Sequence, residues 1–223
     1  MPDLLDAIEM ETGKDPTASI IWLHGLGADG NDFAPIVPEL RLPKAAIRFV
    51  FPHAPVQPVT INGGMRMRAW YDIVSLERRT VEDEAGFRDT DLKVRELISR
   101  EIQRGIPAHR IVLAGFSQGG AASLYTAPRL AERLAGVMSL SAYLPLAGRL
   151  AAERDPANLA TPIFMAHGLA DATLPIKMAL DSREQLTSLG YTIEWHQYPM
   201  AHGLCSQEIA DIRHYLFRVL PPL

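Results

Sequence analysis

Short apolar runs alternate with amphipathic segments along most of this chain. The runs with the composition of buried strands are residues 19–25, 46–52, 110–116, 135–142, 161–168 and 191–198. The segments with helical spacing of apolar residues are 33–40, 89–105, 119–134, 177–190 and 206–220. Strands that alternate with helices in this way form a mostly parallel sheet with helices on both faces. The pattern therefore predicts an α/β fold whose functional residues follow the carboxyl ends of the strands.

Local signals predict where two of these helices begin and end. Asp32 stands where it can cap the first helix. In the second helix, four apolar residues fall roughly on one face and are expected to be buried: Leu92, Leu97, Ile98 and Ile102. Gly105 is the predicted end of that helix.

Residues 53–85 show neither the apolar run of a buried strand nor the spacing of an amphipathic helix, and they are interrupted by prolines and glycines. A stretch of this length is long for a plain connection, which favours a substrate-binding loop or lid. The chain has no internal repeat or low-complexity linker that would divide it. We therefore expect residues 1–223 to form a single domain that carries 53–85 as an insertion.

Composition narrows the classes of function. The 223 residues are 48% hydrophobic and carry a formal net charge of −4, which suits one substantial core. Scattered basic residues argue against a nucleic-acid partner. The acidic start has no signal-peptide pattern, and no apolar run approaches the roughly 18 residues of a membrane span. With Cys205 as the only cysteine, no intramolecular disulfide can form, and we expect a soluble, cytoplasmic protein.

The pattern G-x-S-x-G occupies residues 115–119, after a predicted strand and before an Ala-rich predicted helix. Small residues beside Ser117 permit the tight strand-to-helix turn that exposes a nucleophilic hydroxyl. The helix N-terminus also offers free N–H groups to a developing oxyanion. The alternative is that Ser117 only caps the helix and that the glycines serve packing.

A serine hydroxyl needs a base and an orienting acid, and this turn predicts the chain order Ser, acid, His. Asp171 and His202 each follow a later strand in that order. If His167 were the base, its acid would have to come from between Ser117 and His167, where the candidates are Glu132, Glu153 and Asp155. The first is predicted within a helix and the others in a connection before the strand. We therefore predict His202 as base, Asp171 as its acid, and His167 as a structural residue bonded to backbone.

Gly25, Gly27 and Gly30 spell G-x-G-x-x-G, the fingerprint of a dinucleotide-binding loop. That function requires an acidic residue about twenty positions further on, at the end of the next strand. Here that strand ends at Phe51 and Pro52 without a carboxylate, and two acidic side chains in or next to the loop would oppose a pyrophosphate. The better interpretation is an oxyanion loop, with the Leu26 N–H as one donor and the Gln118 N–H as the other.

Five segments together resemble the phospholipase/carboxylesterase group, which includes carboxylesterases and acyl-protein thioesterases: residues 23–33, 51–73, 113–125, 165–176 and 198–209. The resemblance implies an α/β-hydrolase fold, a catalytic triad of Ser117, Asp171 and His202, and oxyanion donors at Leu26 and Gln118. It further implies an acyl-binding channel near residues 63–73. Leu26 and Trp70 are then expected on its apolar wall, with plain core packing as the alternative for Trp70.

The predicted function is a serine hydrolase that needs neither cofactor nor metal. The resemblance implies a small-molecule or lipid-like substrate, namely a carboxylic ester, a lysophospholipid or an acyl thioester, and the sequence does not separate these three. Some members of the group form dimers, so a homodimer is one assembly that the resemblance allows. The competing hypotheses are a catalytically silent binding protein of the same fold and a metallohydrolase, for which an H-E-x-x-H pattern is missing.

Overall fold

The computed structural model describes residues 4–42, 46–75 and 82–221. Its described part contains these strands: β1 (Ala7–Glu11), β2 (Ala18–Leu23), β3 (Ile47–Pro52), β4 (Val56–Val59), β5 (Met65–Arg68), β6 (Ile111–Phe116), β7 (Gly136–Leu140), β8 (Ile163–Gly168) and β9 (Ile193–Tyr198). Seven of them form the central sheet in the order β1-β3-β2-β6-β7-β8-β9. Only β1 pairs antiparallel, with β3, and the other neighbouring strands of this sheet are parallel. The predicted α/β fold with a mostly parallel sheet is confirmed.

The described helices are α1 (Ile36–Glu39), α2 (Glu84–Gln103), α3 (Gln118–Thr126), α4 (Ala147–Glu153), α5 (Ile176–Ser188) and α6 (Ser206–Val219). Helices cover both faces of the sheet, and alternate residues of one strand show this directly. Ile21 of β2 packs into the cluster that includes residues of α2, α3 and α5. Its neighbour Trp22 packs into the cluster that includes residues of α1 and α6. None of the helices in the described part is both long and apolar enough to cross a membrane.

The helix boundaries differ from the sequence expectations in three places. Asp32 caps no helix, because α1 begins only at Ile36, with Pro35 in the capping position. Helix α3 stops at Thr126 rather than at residue 134, because Pro128 cannot supply the backbone N–H of a continuing helix. Glu132 therefore lies in a loop and not in a helix.

The second predicted helix is longer than expected and turns a different face inward. Helix α2 begins at Glu84, where the Asp83 carboxylate accepts a hydrogen bond from the Gly86 N–H. Its buried apolar residues follow the spacing of one helical face: Phe87, Val94, Leu97 and Ile98. Leu92 and Ile102 lie off that face and are exposed, so this part of the prediction was wrong. The helix ends before Gly105, whose φ of +94° lies in the region that favours glycine.

Outside residues 53–85, one strand and one helix of the described part were not predicted. Strand β1 forms an edge of the sheet from a short segment in which no residue is fully buried. Helix α4 lies in what the sequence suggested was a plain connection, and it contains Glu153.

Residues 53–85 are more regular than expected in their first half. Strands β4 and β5 form an antiparallel hairpin, and its turn contains Gly63 and Gly64 with φ of +66° and +78°. Residues 76–81 of the predicted insertion lie outside the described part of the chain.

Candidate active site

Ser117, Asp171 and His202 lie together at the carboxyl edge of the sheet. They follow β6, β8 and β9 respectively, and parallel strands bring the loops after their carboxyl ends to the same edge. The His202 Nε2 atom lies 2.9 Å from the Ser117 Oγ atom. The His202 Nδ1 atom lies 2.6 Å from the Asp171 Oδ2 atom. A continuous hydrogen-bonded chain therefore runs from the hydroxyl to the carboxylate.

Ser117 sits in a strained turn between β6 and α3. Its φ of 53° and ψ of −117° lie outside the regions that L-residues ordinarily occupy, at a cost on the order of 1–3 kcal/mol. The glycines on either side make the turn possible. A Cβ atom on Gly115 would overlap the main chain of Gly119, and one on Gly119 would overlap the carbonyl of Leu23. The helix can therefore approach the sheet closely enough to present the Ser117 hydroxyl.

The Asp171 carboxylate is buried and held at both oxygens. Its Oδ1 atom accepts hydrogen bonds from the main-chain N–H groups of Thr173 and Leu174, at 2.9 and 2.8 Å. Its Oδ2 atom is left to face His202. The loop after β8 thus fixes the orientation of the carboxylate toward the imidazole.

His167 is fully buried and bonds to main chain, in the structural role that the sequence predicted for it. Its Nε2 atom lies 2.7 Å from the Leu174 carbonyl oxygen and 3.3 Å from Asp171 Oδ2. Burial lowers the pKa of His167, which favours the neutral ring. The shorter contact requires Nε2 to carry the proton and donate to Leu174, since a carbonyl oxygen only accepts.

Leu26 and Gln118, the predicted oxyanion donors, both line the cavity next to Ser117. Leu26 lies in the loop after β2, and Gln118 is the first residue of α3. Within the described ranges, neither main-chain N–H donates a hydrogen bond to a protein acceptor. Both groups are therefore available to an oxygen bound in the cavity.

His24 has a role at this loop that the sequence analysis did not assign. Its Nδ1 atom lies 2.7 Å from the Gly25 carbonyl oxygen, and its Nε2 atom accepts a hydrogen bond from the Ala54 N–H at 3.0 Å. Burial lowers the pKa of His24 to about 4, so the ring is neutral near pH 7. Its position directly before a glycine-rich loop at a strand end was the available signal.

The G-x-G-x-x-G spelling has a structural cause in this loop. Gly27 has a φ of +76°, which glycine adopts without steric cost. A Cβ atom on Gly30 would overlap the carbonyl of Phe51 at the end of β3. The two glycines serve the turn and the packing of this loop against the neighbouring strand.

A cavity of about 380 Å³ opens beside the Ser117 side chain. Large apolar and aromatic side chains dominate its lining: Leu26, Ile61, Tyr71, Ile73, Phe116, Tyr143 and Leu174. Polar Asp32 and Asn62 also contribute to it. The hairpin turn and the residues after the hairpin thus line the cavity together with the candidate oxyanion loop and the loop after β8.

Trp70 is not on the cavity wall, contrary to the channel-wall expectation. Its side chain is 1% exposed and belongs to the core cluster on the α2 side of the sheet. Its neighbour Tyr71 lines the cavity instead. The indole is turned inward because its Nε1–H donates to the His24 carbonyl oxygen at 2.8 Å. The core-packing alternative is therefore the correct placement for Trp70.

The described part of the chain contains no group of three or more His, Cys, Asp or Glu side chains that could hold a metal ion. The chemistry available at this site is that of a hydroxyl, an imidazole, a carboxylate and two backbone amides.

A sequence model of the phospholipase/carboxylesterase family matches residues 6–220. The chain belongs to this family. Acyl-protein thioesterase 1 of Neurospora crassa is 40% identical over 92% of this chain and 88% of its own length. Acyl-protein thioesterase 1 of Yarrowia lipolytica is 37% identical over 94% of this chain and 95% of its own length. The crystal structure of Zea mays acyl-protein thioesterase 2 superimposes with a TM-score of 0.86 at 26% identity, covering 96% of this chain and 99% of the other.

The phospholipase/carboxylesterase assignment confirms the family that the sequence resembled. It identifies the protein as an ester hydrolase with the α/β-hydrolase fold. The segments that carried the resemblance supply much of the candidate site. Residues 23–33 contain the oxyanion loop, 51–73 contain the hairpin, and 113–125 contain the turn at Ser117.

Proposed function

We propose that this protein hydrolyses acyl esters and acyl thioesters through a covalent acyl-enzyme at Ser117. The observation that carries the proposal is the chain of hydrogen bonds from Ser117 through His202 to Asp171, at the wall of a largely apolar cavity. Family membership supports the ester chemistry, and the names of the fungal relatives add the thioester.

The first half-reaction acylates Ser117. The His202 Nε2 atom takes the hydroxyl proton while Oγ attacks the acyl carbonyl carbon. The carbonyl oxygen becomes an oxyanion that accepts hydrogen bonds from the Leu26 and Gln118 N–H groups. When the intermediate collapses, the bond to the leaving group breaks, and the alcohol or thiol departs with the proton from His202.

The second half-reaction releases the acid. Water gives a proton to His202 and attacks the acyl-enzyme through the same oxyanion geometry. The carbon–Oγ bond breaks, Ser117 regains its proton from His202, and a carboxylic acid leaves. Asp171 does not take up the proton itself. It accepts a hydrogen bond from the Nδ1–H of His202, which holds the Nε2 lone pair toward Ser117 and stabilises the transient imidazolium.

The cavity supports an apolar acyl group as the recognised part of the substrate. Its largest lining side chains are hydrocarbon or aromatic, so an acyl chain gains free energy when it leaves water for this surface. The Leu26 side chain lies on this wall, while its N–H serves the oxyanion. Ile61 and Ile73 bring the hairpin region into the same surface, which supports residues 53–75 as part of a substrate-binding insertion.

The catalytically silent binding protein is the less well supported alternative. A binding protein has no need for a strained serine hydrogen-bonded to an imidazole that is itself oriented by a buried carboxylate. Strain of this kind costs stability and persists where the site uses it.

The substrate class is tested by kcat/KM measured over a series of acyl chain lengths on matched oxygen esters and thioesters. Hydrolysis of both series, with kcat/KM rising with chain length until the cavity is filled, is the expected result. Hydrolysis of oxygen esters alone, with the shortest acyl group preferred, would remove the thioester and the acyl-chain parts of the proposal. If the Ser117→Ala variant still hydrolysed both substrate series at the wild-type rate, Ser117 would not be the nucleophile.

A further inference from the structure

Residues 68–71 lie between the two segments that carry the candidate oxyanion amides, the loop after β2 with Leu26 and the N-terminus of α3 with Gln118. We call these four residues the strut. They leave strand β5 at Arg68 and end at Tyr71, which lines the cavity. The strut forms hydrogen bonds to both segments through main-chain groups and the Trp70 indole.

On one side, the strut holds the oxyanion loop at two points that flank Leu26. The Gly27 N–H donates to the Arg68 carbonyl oxygen at 2.8 Å. The Trp70 Nε1–H donates to the His24 carbonyl oxygen, also at 2.8 Å. The position of the Leu26 N–H is thereby fixed from both directions along the chain.

On the other side, the strut holds the Gln118 side chain at both ends of its amide group. The Gln118 Oε1 atom accepts from the Trp70 main-chain N–H at 2.8 Å. The Gln118 Nε2–H donates to the Tyr71 carbonyl oxygen at 2.6 Å. Among the natural side chains of this length, Gln supplies the acceptor and the donor together without a charge.

Two further hydrogen bonds, from side chains outside these two segments, hold the strut in place. The Thr90 hydroxyl of α2 donates to the Trp70 carbonyl oxygen. The Gln57 Nε2–H donates to the Ala69 carbonyl oxygen at 2.7 Å. Trp70 and Gln118 are 1% and 3% exposed, so water cannot replace these bonds if they are lost. Buried, fully bonded networks of this kind hold their members rigidly.

We propose that Trp70 and the side chain of Gln118 are positioning residues that set the separation of the Leu26 and Gln118 N–H groups. The inference rests on the proposed function. Its physical reason is that oxyanion donors act only when they lie about 2.7–3.1 Å from the oxygen. A displacement of about 1 Å costs on the order of 10²-fold in rate.

Each of two variants removes side-chain hydrogen bonds on one side of the strut, and both variants keep the main-chain N–H groups of Leu26 and Gln118. Gln118→Met retains the length of the side chain and loses both of its hydrogen bonds. Trp70→Phe retains a ring and loses the bond to His24. Each is expected to lower kcat by roughly 10- to 100-fold, less than the 10²–10³ that follows loss of a whole donor. KM should stay within about threefold, because the ground-state ester depends little on the oxyanion geometry.

A transition-state analogue provides the readout that a merely structural role would not move. An acyl trifluoromethyl ketone adds to Ser117 and places an oxyanion between the two donors. Its inhibition constant should rise in each variant by about the factor by which kcat/KM falls. The double variant should lose less than the product of the two single losses, since both act on one geometry.

Matched controls separate positioning from general destabilisation. Trp22 is as deeply buried as Trp70 but packs on the other face of the sheet. Asn158 is a buried amide bonded to main chain, at the end of a 3₁₀ turn (Pro156–Asn158) outside the cavity lining. Trp22→Phe and Asn158→Leu should lower Tm while kcat and the inhibition constant stay near wild type. Equal losses of kcat in the controls would overturn the inference.

A third variant keeps the test decisive if Trp70→Phe does not fold. Gln118→Glu retains the acceptor for Trp70 and lacks the donor for Tyr71. Protonation of the new carboxyl restores that donor, so the ratio of the variant's kcat to that of wild type should rise as the pH falls. A ratio that is independent of pH, together with wild-type kcat in Gln118→Met, would overturn the inference. The proposed function fails separately, if wild-type turnover does not depend on Ser117.

Discussion

The Nε2 atom of His202 lies 2.9 Å from the Oγ atom of Ser117, although 85 residues separate the two along the chain. The sheet brings them together, because each follows a parallel strand that ends at the same edge. The imidazole is oriented from its far side by Asp171, at 2.6 Å. This relationship supports the proposal that His202 is the base that a hydroxyl nucleophile requires.

Asp171→Asn should lower kcat by about 10⁴-fold without unfolding the protein. The substituted amide can still accept the two main-chain hydrogen bonds at Oδ1. Its NH₂ group, however, would face the Nδ1 side of His202 and favour the tautomer whose Nε2 carries a proton. The control is Asp181→Asn on α5, an exposed side chain paired with Lys177, which should leave kcat unchanged. Similar kcat values for the two variants would contradict the role of Asp171.

Gly119→Ala should abolish the folded state or the activity, because its Cβ would overlap the main-chain carbonyls of Leu23 and His24. Both groups belong to the sheet and the oxyanion loop and cannot move aside cheaply. Gly148→Ala on α4 is the matched control, since a Cβ there meets no atom within 4 Å. That substitution should stabilise the fold by up to about 1 kcal/mol. Thermal unfolding and kcat of both variants test the contrast, and a folded, fully active Gly119→Ala would refute it.

The sequence predicted the chemical groups of the site better than their supports. That Ser117, Asp171 and His202 lie close together could be predicted because each follows a strand and because the turn at Ser117 predicts their order. Trp70 was misplaced, since its direction depends on hydrogen bonds to His24 and Gln118 that are distant in sequence. His24 was not assigned a role for the same reason, as its partner Ala54 lies 30 residues away.

The fold shows the same division. Parallel central strands are apolar throughout and were found, whereas the edge strand β1 is half-buried and gives only a weak signal. The buried face of α2 was predicted wrongly because the helix begins at Glu84, five residues before the predicted start at residue 89. Starting from Phe87, the helical spacing leads to Val94 and leaves Leu92 in solvent.

Because the Glu208 carboxyl is buried, we expect the folded protein to lose stability as the pH rises. Its side chain is 0% exposed, and an interaction with the Cys205 main chain only partly offsets the cost of burying the ionised carboxylate. Burial raises the pKa of Glu208 from 4.5 to about 8. The folded state therefore holds this proton more tightly than the unfolded chain, and the resulting stability is present below pH 4.5 and is lost as the pH rises through about 8.

The free energy of unfolding should fall by an amount on the order of a few kcal/mol across that range, from this group alone. Glu208→Gln, which cannot ionise, should remove this contribution and be more stable than wild type at pH 9. Denaturant unfolding of both proteins at pH 5, 7 and 9 provides the measurement. Parallel pH dependences for wild type and variant would show that Glu208 does not titrate in this way.

We expect Ile73 to contribute to the preference of the cavity for long acyl chains over short ones. Its side chain lines the cavity, so Ile73→Ala removes apolar surface that a long acyl chain would contact and a short one would not. The variant should lose roughly 10-fold in kcat/KM for long acyl esters, which corresponds to about 1.4 kcal/mol, and little for acetyl esters. Val74→Ala is the control, since Val74 is 42% exposed and does not line the cavity. Equal losses on long and short substrates would contradict the assignment of this wall.

We propose Ser117 as the nucleophile and His202 as its base. The most direct measurement is reaction of the folded protein with a fluorophosphonate, followed by mass spectrometry of the modified peptide. One phosphonyl group on Ser117, with no labelling of Ser117→Ala and with strongly slowed labelling of His202→Ala, is the predicted result. A folded wild-type protein that hydrolyses esters while Ser117 stays unmodified, or a Ser117→Ala variant that retains wild-type kcat, would contradict the account.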